Sequence, residues 1–415
     1  ATITNNGTQT GFGRTGTVDW QTTKKTASFT AANGEGYFID TSSGAVTMTL
    51  PASPSAGDIV AFKDYDGSFG TNNLTIGRNG SNLDGNAADS AINTNNTSMS
   101  LVYVDATQGW KSVEEGTGFI GETFMVATGG TQTTCGDFKI HTFTGPGTFC
   151  VSQISSTAAN NVVSYMVIAG GASAGSDAGG GGGAGGFREY KSSVDTYTAS
   201  PLNGNPCGTA VTVTATSFPI TVGAGGAATA AACGPAAAIG NDGSNSVFST
   251  ITSTGGGGGG TFSSSTGRPG GSGGGGRGTC ATAGNGNTPP VTPSQGFPGA
   301  DAPSPGYSGG GGGATGKGTR GTPNTSGGAG GPGATTSITG SPVGRAGGGA
   351  GGTAGDWPTA GTATDGGGAG GAGPTGGAPG SDATVNTGGG GGGGSDNSGG
   401  GAGGSGIVVI RYKFQ

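Results

Sequence analysis

Over the first 125 residues, apolar and polar positions alternate in short runs. Gly36-Tyr37-Phe38-Ile39-Asp40, Ala45-Val46-Thr47-Met48-Thr49-Leu50, Asp58-Ile59-Val60-Ala61-Phe62-Lys63, Leu74-Thr75-Ile76 and Ser100-Leu101-Val102-Tyr103-Val104 each place apolar side chains on every second position. That is the period of a half-buried strand. Gly, Pro, Asn and Asp separate the runs and supply the turns. An apolar period of 3.6 residues persists almost nowhere, so helix is expected to be minimal and the fold all-β. Residues 1–125 are expected to form a small β-sandwich or jelly-roll-like domain serving attachment or oligomerisation.

The pattern continues over residues 126–163. Phe138-Lys139-Ile140-His141-Thr142-Phe143 and Gly147-Thr148-Phe149-Cys150-Val151 face each other across Thr144-Gly145-Pro146, which predicts a β-hairpin connector. Cys135 and Cys150 flank that hairpin. They are read either as a disulfide formed under oxidising conditions or as two separate thiols. Ser164-Tyr165-Met166-Val167-Ile168-Ala169 is then an apolar strand that runs directly into glycine, and Ile407-Val408-Val409-Ile410-Arg411-Tyr412 is a matching strand near the end. The two strands bracket residues 164–415 and suggest a β-sheet base carrying the glycine-rich part.

Between them glycine tracts recur, among them 179–183, 255–260, 273–276, 309–313, 347–349, 366–368 and 388–394. Glycine loses the most backbone entropy on ordering, so the default reading of such sequence is a flexible linker. A linker has no need to alternate tracts with distinct turn-forming inserts, nor to close on an apolar strand. The alternative is a sandwich of polyglycine-II-type helices with three residues per turn, packed so closely that only glycine fits, with backbone groups bonding between neighbours. No Gly-X-Y period holds, which excludes collagen. The packed sandwich is the expectation.

Composition narrows the partners. With 103 glycines and 30% hydrophobic residues, a conventional core cannot extend through all 415 residues. The 16 Lys and Arg are scattered singly and the net charge is −6, so no basic stripe exists for nucleic acid. No stretch approaches the roughly 18 apolar residues of a membrane-spanning helix, and membrane insertion is not expected. Ala1-Thr2-Ile3-Thr4-Asn5 carries neither a basic nor an apolar signal region, which favours release by lysis of the producing cell over signal-directed export. Five cysteines at wide spacing and a single histidine, His141, argue against a zinc site. No cofactor is implied.

Catalytic patterns are weak. Glycine abundance produces G-x-G-x-x-G matches by chance, and Gly316-Lys317-Gly318-Thr319 lacks the ending of a phosphate loop. His141 reads as a plain sheet residue. A pair of acids from different inserts could still meet as in a glycosidase, so a depolymerase stays open beside the non-enzymatic reading. Binding chemistry fits better on the inserts, because loops held by a rigid scaffold carry recognition. The candidate contact residues are Phe262, Arg268, Phe297, Tyr307, Arg320, Trp357 and Asp365. The aromatics have no room inside packed glycine and should project outward to sugar rings or protein pockets. Arg277, Lys317, Arg345 and Asp356 are further polar anchors.

Two stretches resemble a known family. Residues 34–110, with Gly36-Tyr37-Phe38-Ile39-Asp40-Thr41, Leu50-Pro51-Ala52-Ser53-Pro54, Asn73-Leu74-Thr75-Ile76-Gly77 and Val102-Tyr103-Val104-Asp105, resemble a β-module of fibre proteins from aquatic, cyanophage-type tailed phages. Tyr165-Met166-Val167-Ile168-Ala169-Gly170-Gly171 with Gly406-Ile407-Val408-Val409-Ile410-Arg411-Tyr412 is similar to the glycine-rich domain that ends many of them. The glycine-rich half also looks like the tip adhesin of T-even-like phages, from which it departs in carrying a fibre-like module on the same chain. The resemblance implies a virion tail fibre or adhesin that attaches to a host surface glycan or outer-membrane protein and joins other fibre or baseplate proteins, with a homotrimer expected. The rival expectation is a structural virion decoration or extracellular fibril subunit. An ice-binding module is a weaker third.

Overall fold

The computed structural model describes residues 18–113, 123–206, 209–278, 280–302, 308–322, 325–355, 359–373 and 377–415. It is all-β, and the chain divides into two compact units near residue 124.

The first unit holds β1 (Asp19–Lys25), β2 (Phe29–Thr30), β3 (Glu35–Ile39), β4 (Val46–Thr49), β5 (Ile59–Asp64), β6 (Leu74–Gly77), β7 (Ser90–Ile92), β8 (Ser98–Asp105) and β9 (Gly109–Ser112). Strands β1 to β6 fall alternately in two sheets, ordered β1-β3-β5-β8-β9 and β2-β4-β6-β7. The β1-β3-β5 and β2-β4-β6 pairings are parallel, and β7, β8 and β9 close the sheets antiparallel. Alternation along each strand sends Tyr37, Ile39, Val46, Met48, Val60, Phe62, Leu74 and Ile76 into one shared core with Leu101 and Trp110. The small sandwich therefore forms, but as stacked parallel rungs and not as an antiparallel jelly roll.

The second unit holds β10 (Val126–Thr128), β11 (Thr131–Cys135), β12 (Phe138–Phe143), β13 (Gly147–Gln153), β14 (Val162–Ile168), β15 (Phe187–Tyr190), β16 (Val211–Thr212), β17 (Ser217–Thr221), β18 (Ser246–Phe248), β19 (Ile251–Ser253), β20 (Ala334–Thr336), β21 (Val343–Arg345) and β22 (Ile407–Lys413). Its base is two sheets, β10-β13-β17-β18-β19 and β11-β12-β22-β14-β15 with β16 beside β14. The continuous apolar runs of β14 and β22 are explained by burial on both faces. Tyr165, Val167, Val408, Ile410 and Tyr412 pack between the sheets with Phe149, Ile220 and Phe248. Met166, Ile168, Ile407 and Val409 face the other way, against Phe187, Ala184, Ala314 and Ala346.

Two expectations are corrected here. Residues 126–163 are not a separate hairpin connector but belong almost wholly to the second unit. Its strands β12 and β13 do not pair: β12 lies between β11 and β22, and β13 lies between β10 and β17 in the other sheet. The turn at Thr144-Gly145-Pro146 carries the chain from sheet to sheet, since each strand finds a longer partner elsewhere. As a result Cys135 and Cys150 stand on different sheets and both are free thiols.

The glycine-rich part is an ordered lattice inserted between β14 and β22, which are neighbours in one sheet. Residues 180–186 show its rule. The amides of Gly180, Gly183 and Gly186 donate to Gly260, Gly257 and Thr254; those of Gly181 and Ala184 donate to Gly309 and Gly312; those of Gly182 and Gly185 donate to Gly391 and Gly388. Every third residue thus addresses the same neighbour, the signature of a three-residue screw. The carbonyls repeat the pattern, accepting from Ala172 and Gly175, from Ser272 and Gly275, and from Gly349. Six segments surround this one, and all seven of its amides are satisfied by backbone carbonyls. Contact is so close that a Cβ on Gly181 would lie 2.0 Å from the carbonyl oxygen of Gly349, and one on Gly182 would lie 2.2 Å from that of Ala172.

Candidate functional site

Hydrogen-bond register fixes which inserts share an end. Residues 180–186 run from the turn at Asp177 and Ala178 to β15, so Asp177 marks the end far from the sheets. Residues 254–260 run antiparallel to them, with Gly260 beside Gly180, and the insert 261–266 emerges beside Asp177. Gly275 and Gly309 both meet Gly181, which brings out the chain after Gly276 and before Gly309 at the same end. Gly352 donates to Gly179, and the amides of Asp177 and Ala178 donate to Ser398 and Ser395. The inserts at 230–238 and 395–398 therefore join the others on one distal face. The turns at 287–294, 314–317, 337–342, 365–367 and 385–387 belong to the opposite, base end.

At the distal face, hydroxyl residues replace glycine and cap the last lattice carbonyls. Thr229 Oγ1 donates to Ala174 O at 3.1 Å, Thr261 Oγ1 to Ser176 O at 2.8 Å, Ser395 Oγ to Ala378 O at 3.0 Å and Ser398 Oγ to Gly377 O at 2.6 Å. Ser308 Oγ donates to Gly352 O. These side chains are buried. They supply donors to carbonyls at the tract ends, Ala378 O also accepting from Ser395 N.

The most structured cluster centres on Asp177. Its Oδ2 accepts from Gly234 N at 2.9 Å and its Oδ1 from Asn397 N at 3.2 Å, which ties two inserts together. Its carbonyl accepts from Arg277 Nε at 3.0 Å, and Arg277 Nη2 lies 3.9 Å from Asp396 Oδ1. Burial pulls the pKa of Arg277 down, and Asp177 and Asp396 oppose that shift. Phe262 covers this guanidinium, ring centre to Arg277 Cζ 5.1 Å, while 58% of the residue stays exposed.

The predicted contact residues divide between the two ends. Phe262 is on the distal face. Arg268 follows the distal insert, its amide bonded to Gly258 O inside the lattice, and pairs with Asp242 at 3.3 Å; Arg320 pairs with Asp301 at 3.4 Å, and all four side chains are roughly half exposed. Tyr307, Trp357 and Asp356 lie outside the described residues. Phe297 is not at a tip: its amide donates to Gly313 and its carbonyl accepts from Gly273, so its backbone is part of the lattice and its ring is half-buried. Asp365 is at the base end, where its Oδ2 accepts from Gly333 N at 2.8 Å and closes a turn. Lys317 is also at that end, and Arg345 is buried on β21. Sequence reasoning missed Asp177 and Asp396 as partners of Arg277, because only the lattice register brings these distant positions together. The one available signal was an isolated acid beside a tract end.

A family model described as a glycine-rich domain matches residues 142–413. No curated protein matches the chain.

Proposed function

The chain belongs to the glycine-rich domain family, and on that premise we propose that it is a non-enzymatic receptor-binding protein, the host-recognising part of a phage tail fibre, acting through the distal face of its lattice. The observation that carries this reading is the convergence of compositionally varied inserts on the end opposite the β base. A lattice whose interior is held by backbone bonds constrains only the turn residues that cap it, so the other tip residues can change on a rigid frame. A filament subunit would instead need repeated, self-complementary inserts, and these differ in length and content. The binding reading over catalysis is supported by acids of the glycine-rich part: Asp177 is held by backbone amides, and Asp242 and Asp301 are paired with arginines. In this reading the N-terminal unit attaches to other fibre or baseplate proteins, and the assembly is a homotrimer.

The test is binding of the purified chain to a panel of bacterial strains, beside a variant in which residues 262–266 are exchanged for Gly and Ser at equal length with Thr261 and Ser263 kept. Binding restricted to some strains and lost in the variant, with an unchanged thermal midpoint, is the expected result. Ordered self-assembly with no strain bound would replace this reading with a structural subunit.

A further inference from the structure

Phe262 combines exposure with immobility. Exposed aromatic side chains usually sit on mobile turns, but here the residues beside the ring are pinned. Thr261 Oγ1 donates to Ser176 O at 2.8 Å, Thr261 N to Ser264 O at 2.9 Å, and Ser263 Oγ to Ala237 O at 2.8 Å. One side of the ring rests on the guanidinium of Arg277, itself only 7% exposed and anchored to Asp177. A flat apolar surface is thereby held in place before any ligand arrives, and little ordering entropy is left to lose on binding.

We propose that Phe262 is the ligand platform of the distal face and that its ligand is a carbohydrate, a neutral pyranose laid with its C–H face on the ring. This rests on the reading of the distal face as a receptor-binding surface and names what that surface takes. Among the described residues of the face, Phe262 is the large apolar side chain that is exposed; Val385, the other strongly exposed one in the lattice, is at the base end. Its chain neighbours are Thr261, Ser263, Ser264, Ser265 and Thr266. A protein partner is bound through a contiguous desolvated core of several apolar groups, about 800 Å² on each side. One ring bordered by hydrogen-bonding groups matches a sugar, which is apolar on one face and polar around its edge. Charge points to a neutral sugar, because Arg277, the cation under the ring, is buried and already engaged by Asp177 and Asp396.

The experiment uses the full chain and a strain that captures it. Cells are treated with periodate or with protease, and the purified surface polysaccharide of that strain is titrated against wild type, Phe262→Ala, Phe262→Trp and the base-end control Val385→Ala. The inference expects capture abolished by periodate and retained after protease. It expects polysaccharide binding weakened about tenfold or more by Phe262→Ala and retained in Phe262→Trp and Val385→Ala, with all thermal midpoints alike. Capture that survives periodate and is lost to protease overturns the carbohydrate and leaves a protein receptor, with the surface-binding reading intact. Unaltered affinity in Phe262→Ala overturns the platform. If no strain captures the wild-type chain, the receptor-binding reading fails and this inference with it.

Discussion

Glycine in the lattice is required by distance. Gly181 has carbonyl oxygen where its Cβ would be, and that oxygen belongs to a backbone held on every side. Gly181→Ala is therefore expected to cost more than the roughly 1–3 kcal/mol of ordinary overpacking, read as a fall in the urea midpoint. Gly145, at the turn between sheets, has an ordinary φ, and a Cβ added there would meet nothing within 4 Å. Gly145→Ala should change stability by less than about 0.5 kcal/mol. His141 supplies a pH dependence. Its Nδ1–H donates to Gly129 O at 2.7 Å, its Nε2 faces the Tyr412 hydroxyl at 3.4 Å, and burial lowers its pKa from 6.5. The unfolded chain then takes up the proton first as pH falls. Stability is fully present above about pH 6.5 and declines below it, by at most about 1.4 kcal/mol per pH unit, until the folded pKa is passed. Urea titrations between pH 7.5 and 5 should show this slope, and His141→Gln should remove it.

At the scale of elements, strands buried on both faces were the most legible. Ser164–Ala169 and Ile407–Tyr412 are apolar at nearly every position because one side meets the inter-sheet core and the other meets the lattice. The five alternating runs of the first unit also become strands, since alternation states directly which face is buried. Pairing was less legible. Phe138–Phe143 and Gly147–Val151 look like a hairpin, and no local feature reveals that β22, far along the chain, takes the place beside β12. On its other side β22 is tied to β14 by Asp195 and Arg411, with Arg411 Nε 3.0 Å from Asp195 Oδ1, both side chains buried, and Ser164 Oγ of β14 donating to Asp195 Oδ2 at 2.8 Å. Asp195→Asn leaves a buried guanidinium without its counter-charge, and a loss of about 3–5 kcal/mol is expected, measurable by denaturant unfolding.

For the whole molecule, the lattice begins and ends on adjacent strands, so the sheet that closes it also sets its register. Removal of residues 407–415 should release the lattice, with residues 180–406 becoming open to limited proteolysis while the first unit keeps its resistance. The tip behaves oppositely: an exchange within residues 262–266 that keeps Thr261 and Ser263 preserves their bonds to Ser176 O and Ala237 O and should leave the melting curve in place.

From the sequence alone came the all-β class, the strands with a clear apolar pattern and the ordering of the glycine tracts as packed helices. Each follows from local arithmetic: a period of two, or the absence of any Cβ. The exposure of Phe262 follows that way too, as an aromatic ring with no place in a glycine interior. Tertiary structure alone decided that Phe297 and Asp365 belong to the body and the base, that β12 and β13 part company, and that Asp177, Arg277 and Asp396 meet. A glycine tract has no side chains to specify its neighbours, so which tract lies beside which, and hence which inserts share a face, is settled only when the backbone bonds of the whole lattice close together.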